Sequence, residues 1–204
     1  MLEKIHWLGH AAFKITNGKT IYIDPYQVKN GAKADMILVT HDHYDHLSPE
    51  DIAKIAKPDT VFIASKGAVS KLSGDVRVMS AGDKIKVDEI EIEAVPSYNV
   101  SKPFHPKFSG NLGFILTVEG IRIYHTGDTD LIPEMKDMKT DIALLPCGGT
   151  YTMDAKAAAQ AARTIKPKIA IPMHWGAIIG SKSDAEEFKK LCGEEIEVKI
   201  LDKT

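Results

Sequence analysis

The chain has 204 residues, 44% hydrophobic and 26% charged, with 26 Lys and Arg against 28 Asp and Glu for a formal net charge of −2. That length suits one substantial core, so a single domain over residues 1–204 is expected, and the near-neutral balance argues against a strongly basic nucleic-acid face. Apolar runs such as Ile169 to Pro172 are far shorter than the roughly 20 residues that span a bilayer, so no membrane insertion is expected.

The N-terminus carries Glu3 and Lys4 where a secretory signal needs a basic start followed by an apolar block. Cys147 and Cys192 form neither a CxxC pair nor a dense framework. A cytoplasmic, reducing location is the expectation.

In chain order, Ala11 to Ile15 and Thr20 to Ile23 flank Asn17-Gly18, a dipeptide that tolerates positive φ in a tight turn, so a β-hairpin is predicted to open the chain. Met36-Ile37-Leu38-Val39 is an unbroken apolar run, as a strand buried on both faces requires. Ser48-Pro49-Glu50-Asp51 supplies an N-cap, a proline at the first helical position and acidic residues for the positive helix end, predicting a helix from about Pro49 to Ala56. Thr60 to Ile63 and Val76 to Met79 read as strands around a short helix from Lys66 to Leu72.

From Lys84 to Val95, apolar residues alternate with charged ones, predicting a half-exposed hairpin that turns near Asp88-Glu89. Residues 97–111 form a long polar loop, and length of that kind marks a functional candidate. A second hairpin follows, Leu112 to Val118 and Ile121 to His125. The last third alternates strands at Ile142 to Leu145, Ile169 to Pro172 and Glu195 to Leu201 with helices from about Asp154 to Thr164 and Asp184 to Leu191. About a dozen strands and four or five helices, with hairpins between βα units, suggest two sheets packed face to face with helices outside.

His41-Asp42-His43-Tyr44-Asp45-His46 places three histidines and two aspartates in six consecutive positions after a buried strand. The strand fixes the backbone while the loop can turn His41, His43, Asp45 and His46 toward one centre, as metal ligation demands. A solvated loop would accommodate these polar residues, yet gives no reason for three histidines. Imidazole and carboxylate donors suit Zn first, with Mn, Ni or Fe compatible. Asp42 and Tyr44 read as spacers that face away from the metals.

"THDHYDH" at 40–46, "YHTGDTD" at 124–130 and "PMHWG" at 172–176 together resemble the metallo-β-lactamase-fold superfamily. The resemblance implies an α+β fold, a four-layer αββα sandwich of two mixed β-sheets with helices on both outer faces. It also implies two divalent metal ions. His41 and His43 would bind one, Asp45 and His46 the other, Asp128 would bridge both, and His174 would complete the second site. His105 is favoured as the remaining ligand of the first. Its rival is His125, whose strand parity with Ile121 and Ile123 directs it to the core face, where it could support a ligand from behind.

His10, in "WLGHAAF", resembles the subgroup that holds bacterial ascorbate-6-phosphate lactonases and the N-acyl-phosphatidylethanolamine phospholipase D. It reads as a pocket residue, equally compatible with a structural role, while His6 among apolar neighbours reads as structural. Asp24, in "YIDPY", could accept a hydrogen bond from a ligand histidine or simply begin an Asp-Pro turn. In "LPCGGTYTMD", the amides and hydroxyls from Gly148 and Gly149 through Tyr151 to Thr152 could face the metals or an anion, or could form a glycine-rich turn with a Thr152 or Asp154 cap. Cys147 reads as a small buried residue.

The implied chemistry is hydrolysis by a metal-bridging hydroxide, since metal binding lowers water's pKa from 15.7 to about 7, with Asp45 and Asp128 as the catalytic carboxylates. The expected substrate is a small molecule bearing an ester, lactone or phosphodiester. A nuclease or phosphodiesterase acting on nucleic acid is an alternative without an inserted binding domain or basic stripe to support it. A redox dimetal protein is another, although such relatives carry glutamate at the position of His43 and append a flavin domain. A noncatalytic dimetal protein would keep the same donors. Lys102, Lys107 and Tyr151 are candidates for meeting an anionic group, and the residue order sets no oligomeric state.

Overall fold

The computed structural model of the chain describes residues 1–29 and 31–204. Thirteen strands and three α-helices appear among the described residues. The first sheet runs in simple sequence order, β1 (Ile5–Gly9), β2 (Ala12–Thr16), β3 (Thr20–Ile23), β4 (Met36–Val39), β5 (Val61–Ser65) and β6 (Asp75–Met79). β1 to β3 pair antiparallel, and β3 to β6 pair parallel. The second holds β7 (Lys84–Val87), β8 (Ile90–Pro96), β9 (Leu112–Val118), β10 (Ile121–His125), β11 (Ile142–Pro146), β12 (Ile169–Met173) and β13 (Glu197–Val198), again in sequence order. Antiparallel pairing gives way to parallel after β10.

β4 shows why the layers form. Its four side chains are all buried, but Met36 and Leu38 join one apolar cluster and Ile37 and Val39 the other, because alternate strand residues point to opposite faces. Met36 and Leu38 meet β-strand residues of the second sheet such as Ile92, Phe114 and Leu116. Ile37 and Val39 lie with Ile52 and Ile55 of α1 (Pro49–Ile55). α2 (Ala155–Ile165) and α3 (Lys182–Cys192) pack on each other and against β11 and β12, burying Ala158, Ala162 and Phe188. The result is the expected layering of helix, sheet, sheet and helices.

Several expectations need correction. β1 precedes the predicted opening hairpin and pairs antiparallel with β2. Residues Lys66–Lys71 wind as a 3-10 turn, since Gly67, Val69 and Ser70 favour α-helix weakly and the segment is short. α3 starts at Lys182 rather than Asp184, because Ser181 caps it and Asp184 returns the bond as the third residue of a capping box. The last strand is confined to Glu197–Val198, where an edge pairs with β12 alone.

Strand direction gathers the chemistry. In the first sheet β1, β3 and β4 run the same way, and His10, Asp24 and the 41–46 segment follow their C-terminal ends. In the second, β8, β10 and β12 run together, and His105, Asp128 and His174 follow theirs. No helix among the described residues is long and apolar enough to cross a membrane.

Candidate metal centre

The tight ends of these strands aim the side chains. His10, Asp24 and His174 all adopt left-handed backbone, at φ 52°, 47° and 58°, and such non-glycine outliers gather where surrounding structure holds them for function. Gly127 brings Asp128 round a turn at φ 62° so close to the neighbouring chain that a Cβ there would lie 2.7 Å from the Leu112 carbonyl oxygen.

Three donor groups result: His41, His43 and His105; His10, Asp45, His46 and His174; and His41, His46 and Asp128, each with ligand atoms within 4.8 Å of one another. In the first, His43 Nδ1 lies 3.1 Å from His41 Nε2 and 3.2 Å from His105 Nε2. Asp128 stands between the groups. Its Oδ1 is 3.2 Å from His46 Nε2, while its Oδ2 is 3.0 Å from His174 Nε2 and 3.4 Å from His105 Nε2.

Hydrogen bonds behind the rings fix which nitrogen faces inward. His46 Nδ1 donates to Asp24 Oδ2 at 2.7 Å. The Thr40 hydroxyl donates to the same oxygen at 2.6 Å, so His41 Nδ1, 3.0 Å away, must in turn donate to the hydroxyl. His105 Nδ1 donates to Asn99 Oδ1 at 3.1 Å. In the neutral ring these bonds leave Nε2 of His41, His46 and His105 without a proton and aimed at the clusters, the tautomer a ligand needs.

A divalent ion fits this arrangement. Tetrahedral ligands at 2.0–2.1 Å stand roughly 3.3 Å apart, close to the spacing of the His41, His43 and His105 nitrogens. A proton on His43 Nδ1 could serve only one of its two neighbours. His46 Nε2, His174 Nε2 and Asp128 Oδ1 are buried with no aligned hydrogen-bond partner, a costly state that a cation removes. Burial opposes a proton on His46, but the Asp128 and Asp24 carboxylates outweigh it and raise the ring well above the usual imidazole range, so a cation at Nε2 would take the place of a proton. Burial opposes charge on Asp128, yet the His174 and His46 rings hold its carboxyl well below the usual range. Asp45 is likewise pulled against burial to about 2 by the His10 hydrogen bond and the His46 ring. Burial lowers His105 to about 4, which favours the neutral ring of a ligand.

Of the residues predicted from sequence, His41, His43, Asp45, His46, His105, Asp128 and His174 thus converge. His125 does not. It is fully buried in the sheet, its Nε2 2.8 Å from the Ala11 carbonyl oxygen and its Nδ1 accepting the Gly127 amide. His10 instead sits inside the second group. Asp24 orients two rings at once. Gly149 turns its amide to the Met153 carbonyl, and the Tyr151 and Thr152 amides donate to Gly149, so these groups close a turn rather than face an anion. Lys102 pairs with Asp130, and Lys107 with Glu134 and the Tyr98 hydroxyl. His6 is half-buried beside Thr16, and Cys147 is buried.

The clusters open into a cleft of about 450 Å³. Beyond the ligating groups, Asp42, Tyr44, Lys71, Phe104, Tyr151 and Ile178 line it. Asp42 and Tyr44, expected to be spacers, stand outside the donor groups but form part of this rim. Residue order missed Lys71, Phe104 and Ile178 because no motif marks them. Asn99 was missed too, although an amide residue six positions before a candidate ligand in the same loop was a usable signal.

The profile of the Beta-lactamase superfamily domain matches residues 4–174. The chain is 36% identical to a UPF0173 metal-dependent hydrolase of Thermococcus onnurineus, with 98% of this chain and 96% of that protein aligned. A crystal structure from Parabacteroides distasonis, described as a metal-dependent hydrolase, superposes with a TM-score of 0.88 at 38% identity, covering 97% of this chain and 93% of that one. Igni18, a metallo hydrolase from Ignicoccus hospitalis, superposes at 0.80 with 26% identity, covering 97% and 94%. The chain belongs to the beta-lactamase superfamily, within its UPF0173 metal-dependent hydrolases.

Proposed function

We propose that the chain, as one domain, is a binuclear metal-dependent hydrolase of a small ester, lactone or phosphodiester. His41, His43 and His105 would hold one ion, Asp45, His46 and His174 the other, and Asp128 would serve both. The observation that carries this reading is Asp128, a buried carboxylate that reaches histidines of both donor sets, with Oδ2 3.4 Å from His105 and 3.0 Å from His174 and Oδ1 3.2 Å from His46. Divalent ions bound there would supply Lewis acidity and lower the pKa of water from 15.7 to about 7.

The residues themselves set the rest. No serine, threonine or cysteine is among the described residues lining the cleft, which supports water as the attacking group. Asp45 is on the cleft wall, where it would orient the water while remaining a ligand, and His10 holds the carboxylate in place at 2.9 Å. His43, exposed at the mouth, lies where an incoming carbonyl or phosphoryl group first meets the site.

The test is metal content of the purified protein and of His43→Ala and Asp128→Ala, followed by turnover on lactones, carboxyl esters, phosphodiesters and short RNA with Zn, Mn or Ni. Both variants are expected to lose metal. Unchanged stoichiometry in both would remove the site assignment, and turnover of RNA alone would replace the small-molecule reading with a nuclease.

A further inference from the structure

Part of the cleft lining beside the metal-ligating groups is aromatic. Phe104, on the 97–111 loop, and Tyr151, on the turn after β11, meet edge to face with ring centroids 4.8 Å apart. Both line the cleft, with Tyr44 and Ile178 beside them. Phe104 is 40% exposed, so its ring is open to a ligand rather than spent on the core. Each free aromatic face offers apolar contact to a planar group.

The pair is built into the centre. Asn99 Nδ2 donates to the Tyr151 carbonyl at 3.0 Å, while Asn99 Oδ1 accepts both the amide and the ring Nδ1 of His105 at 2.9 and 3.1 Å. One amide side chain therefore fixes the two loops to each other and fixes Phe104 beside its neighbour His105. A group held between the rings has a set position relative to the ligating nitrogens.

The charge on the wall points the same way. Lys71 is the only lysine or arginine among the described lining residues, and it donates to the Asp42 carbonyl at 2.6 Å with the Asp42 carboxylate at 3.4 Å. Lys102 and Lys107 on the adjoining loop are paired to Asp130 and Glu134. Among the described lining residues no unpaired lysine or arginine would compensate a second anionic group carried by the substrate.

We infer that Phe104 and Tyr151 form a binding subsite for an uncharged aromatic group, making the substrate a neutral arene-bearing ester or lactone rather than a polyanion. This rests on the hydrolase reading. In the reaction, the water oxygen forms the new bond to the acyl carbon, the ester C–O bond breaks, and the departing alkoxide takes a proton to leave as the alcohol.

The test compares three methyl esters with the same leaving group: methyl phenylacetate, methyl acetate and monomethyl succinate. The metal-loaded protein is expected to favour the phenylacetate by kcat/KM, and Phe104→Ala and Tyr151→Ala are each expected to lower the phenylacetate-to-acetate ratio about tenfold, chiefly through KM. An unchanged ratio in both variants, or a preference for the anionic succinate, overturns the inference. Binding is read separately, by saturation-transfer NMR with 4-phenyl-2-butanone, an uncharged ketone that cannot be hydrolysed. Transfer to the phenyl protons that disappears in both variants, with no ester cleaved, would sustain the subsite and reject the hydrolase reading. Equal transfer in all three proteins overturns the subsite.

Discussion

His10 Nε2 lies 2.9 Å from Asp45 Oδ2, the carboxylate oxygen that also stands 3.6 Å from His46 Nε2 and 3.8 Å from His174 Nε2. The contact joins the first turn of the chain to the histidine-rich segment. The His10 ring also packs on that of His174 at a centroid distance of 3.9 Å, and its Nδ1 is buried without a partner. A ring with bare Nδ1 carries its proton on Nε2, so His10 donates to Asp45 and orients the oxygen that faces the second donor group.

His10→Ala should therefore weaken binding of one of the two ions about 10–100-fold, the usual effect of removing a partner behind a ligand. Glutamine places an amide donor near the position of Nε2, so His10→Gln should recover most of that loss. Isothermal titration of the metal-free protein with zinc reads both. Failure of glutamine to recover affinity, with alanine defective, would make His10 a ligand instead; full affinity in the alanine variant would leave it no role.

Asp24 is fully buried and accepts from the Thr40 amide at 2.8 Å, the Thr40 hydroxyl and His46 Nδ1. Asp24→Ala strands these donors, each orphaned group costing about 1–3 kcal/mol, and frees the tautomers of His41 and His46. A drop in urea-unfolding free energy together with weaker metal binding is expected. A variant with native stability and native metal content would refute this account.

Gly148 sits where a Cβ would lie 2.2 Å from the His174 carbonyl oxygen. Gly148→Ala must push the β12 end aside, costing about 1–3 kcal/mol as overpacking does and displacing His174 from Asp128. Gly67, where an added Cβ meets only Asp42 atoms at 3.9–4.0 Å, is the control. Thermal melts and metal content should distinguish the two alanine variants; equal behaviour would contradict the packing argument.

Asp51 accepts the Gln27 and Val28 amides at 2.7 and 3.1 Å and pairs with Lys54 at 2.8 Å. Burial opposes its charge, but the Lys54 bond and the amide donors hold its carboxyl below the usual value. A depressed folded pKa adds stability that is present above the unfolded value near 3.9 and is lost as pH falls through the folded one. The stability difference between the native chain and Asp51→Asn should thus be larger at pH 7 than at pH 3. A difference that grows on acidification would show the sign to be wrong.

Much of the site was legible because its residues are local in sequence. His41 to His46 lie together after an apolar strand, and Ser48 and Pro49 mark the helix that follows. The alternation of Ile85, Val87, Ile90 and Ile92 identified a hairpin, and the double burial of Met36 to Val39 followed from an apolar run without alternation. The weak points were capping and length: Ser181 moved the start of α3, and edge pairing shortened β13.

Residue order by itself named the candidate donors, the strand that presents the first four of them and the two-sheet frame, because periodicity and turn chemistry act over a few residues. Only the tertiary structure showed that His105 stands among the other candidate donors and His125 does not. Both follow plausible signals, but strand parity buries His125 behind the Ala11 carbonyl, while Asn99 turns His105 toward His43. It also decided that His10 reaches Asp45 across 35 positions, and that Phe104 meets Tyr151 from another loop. Contacts of that kind depend on how two sheets dock and where their loops converge, which no local pattern encodes.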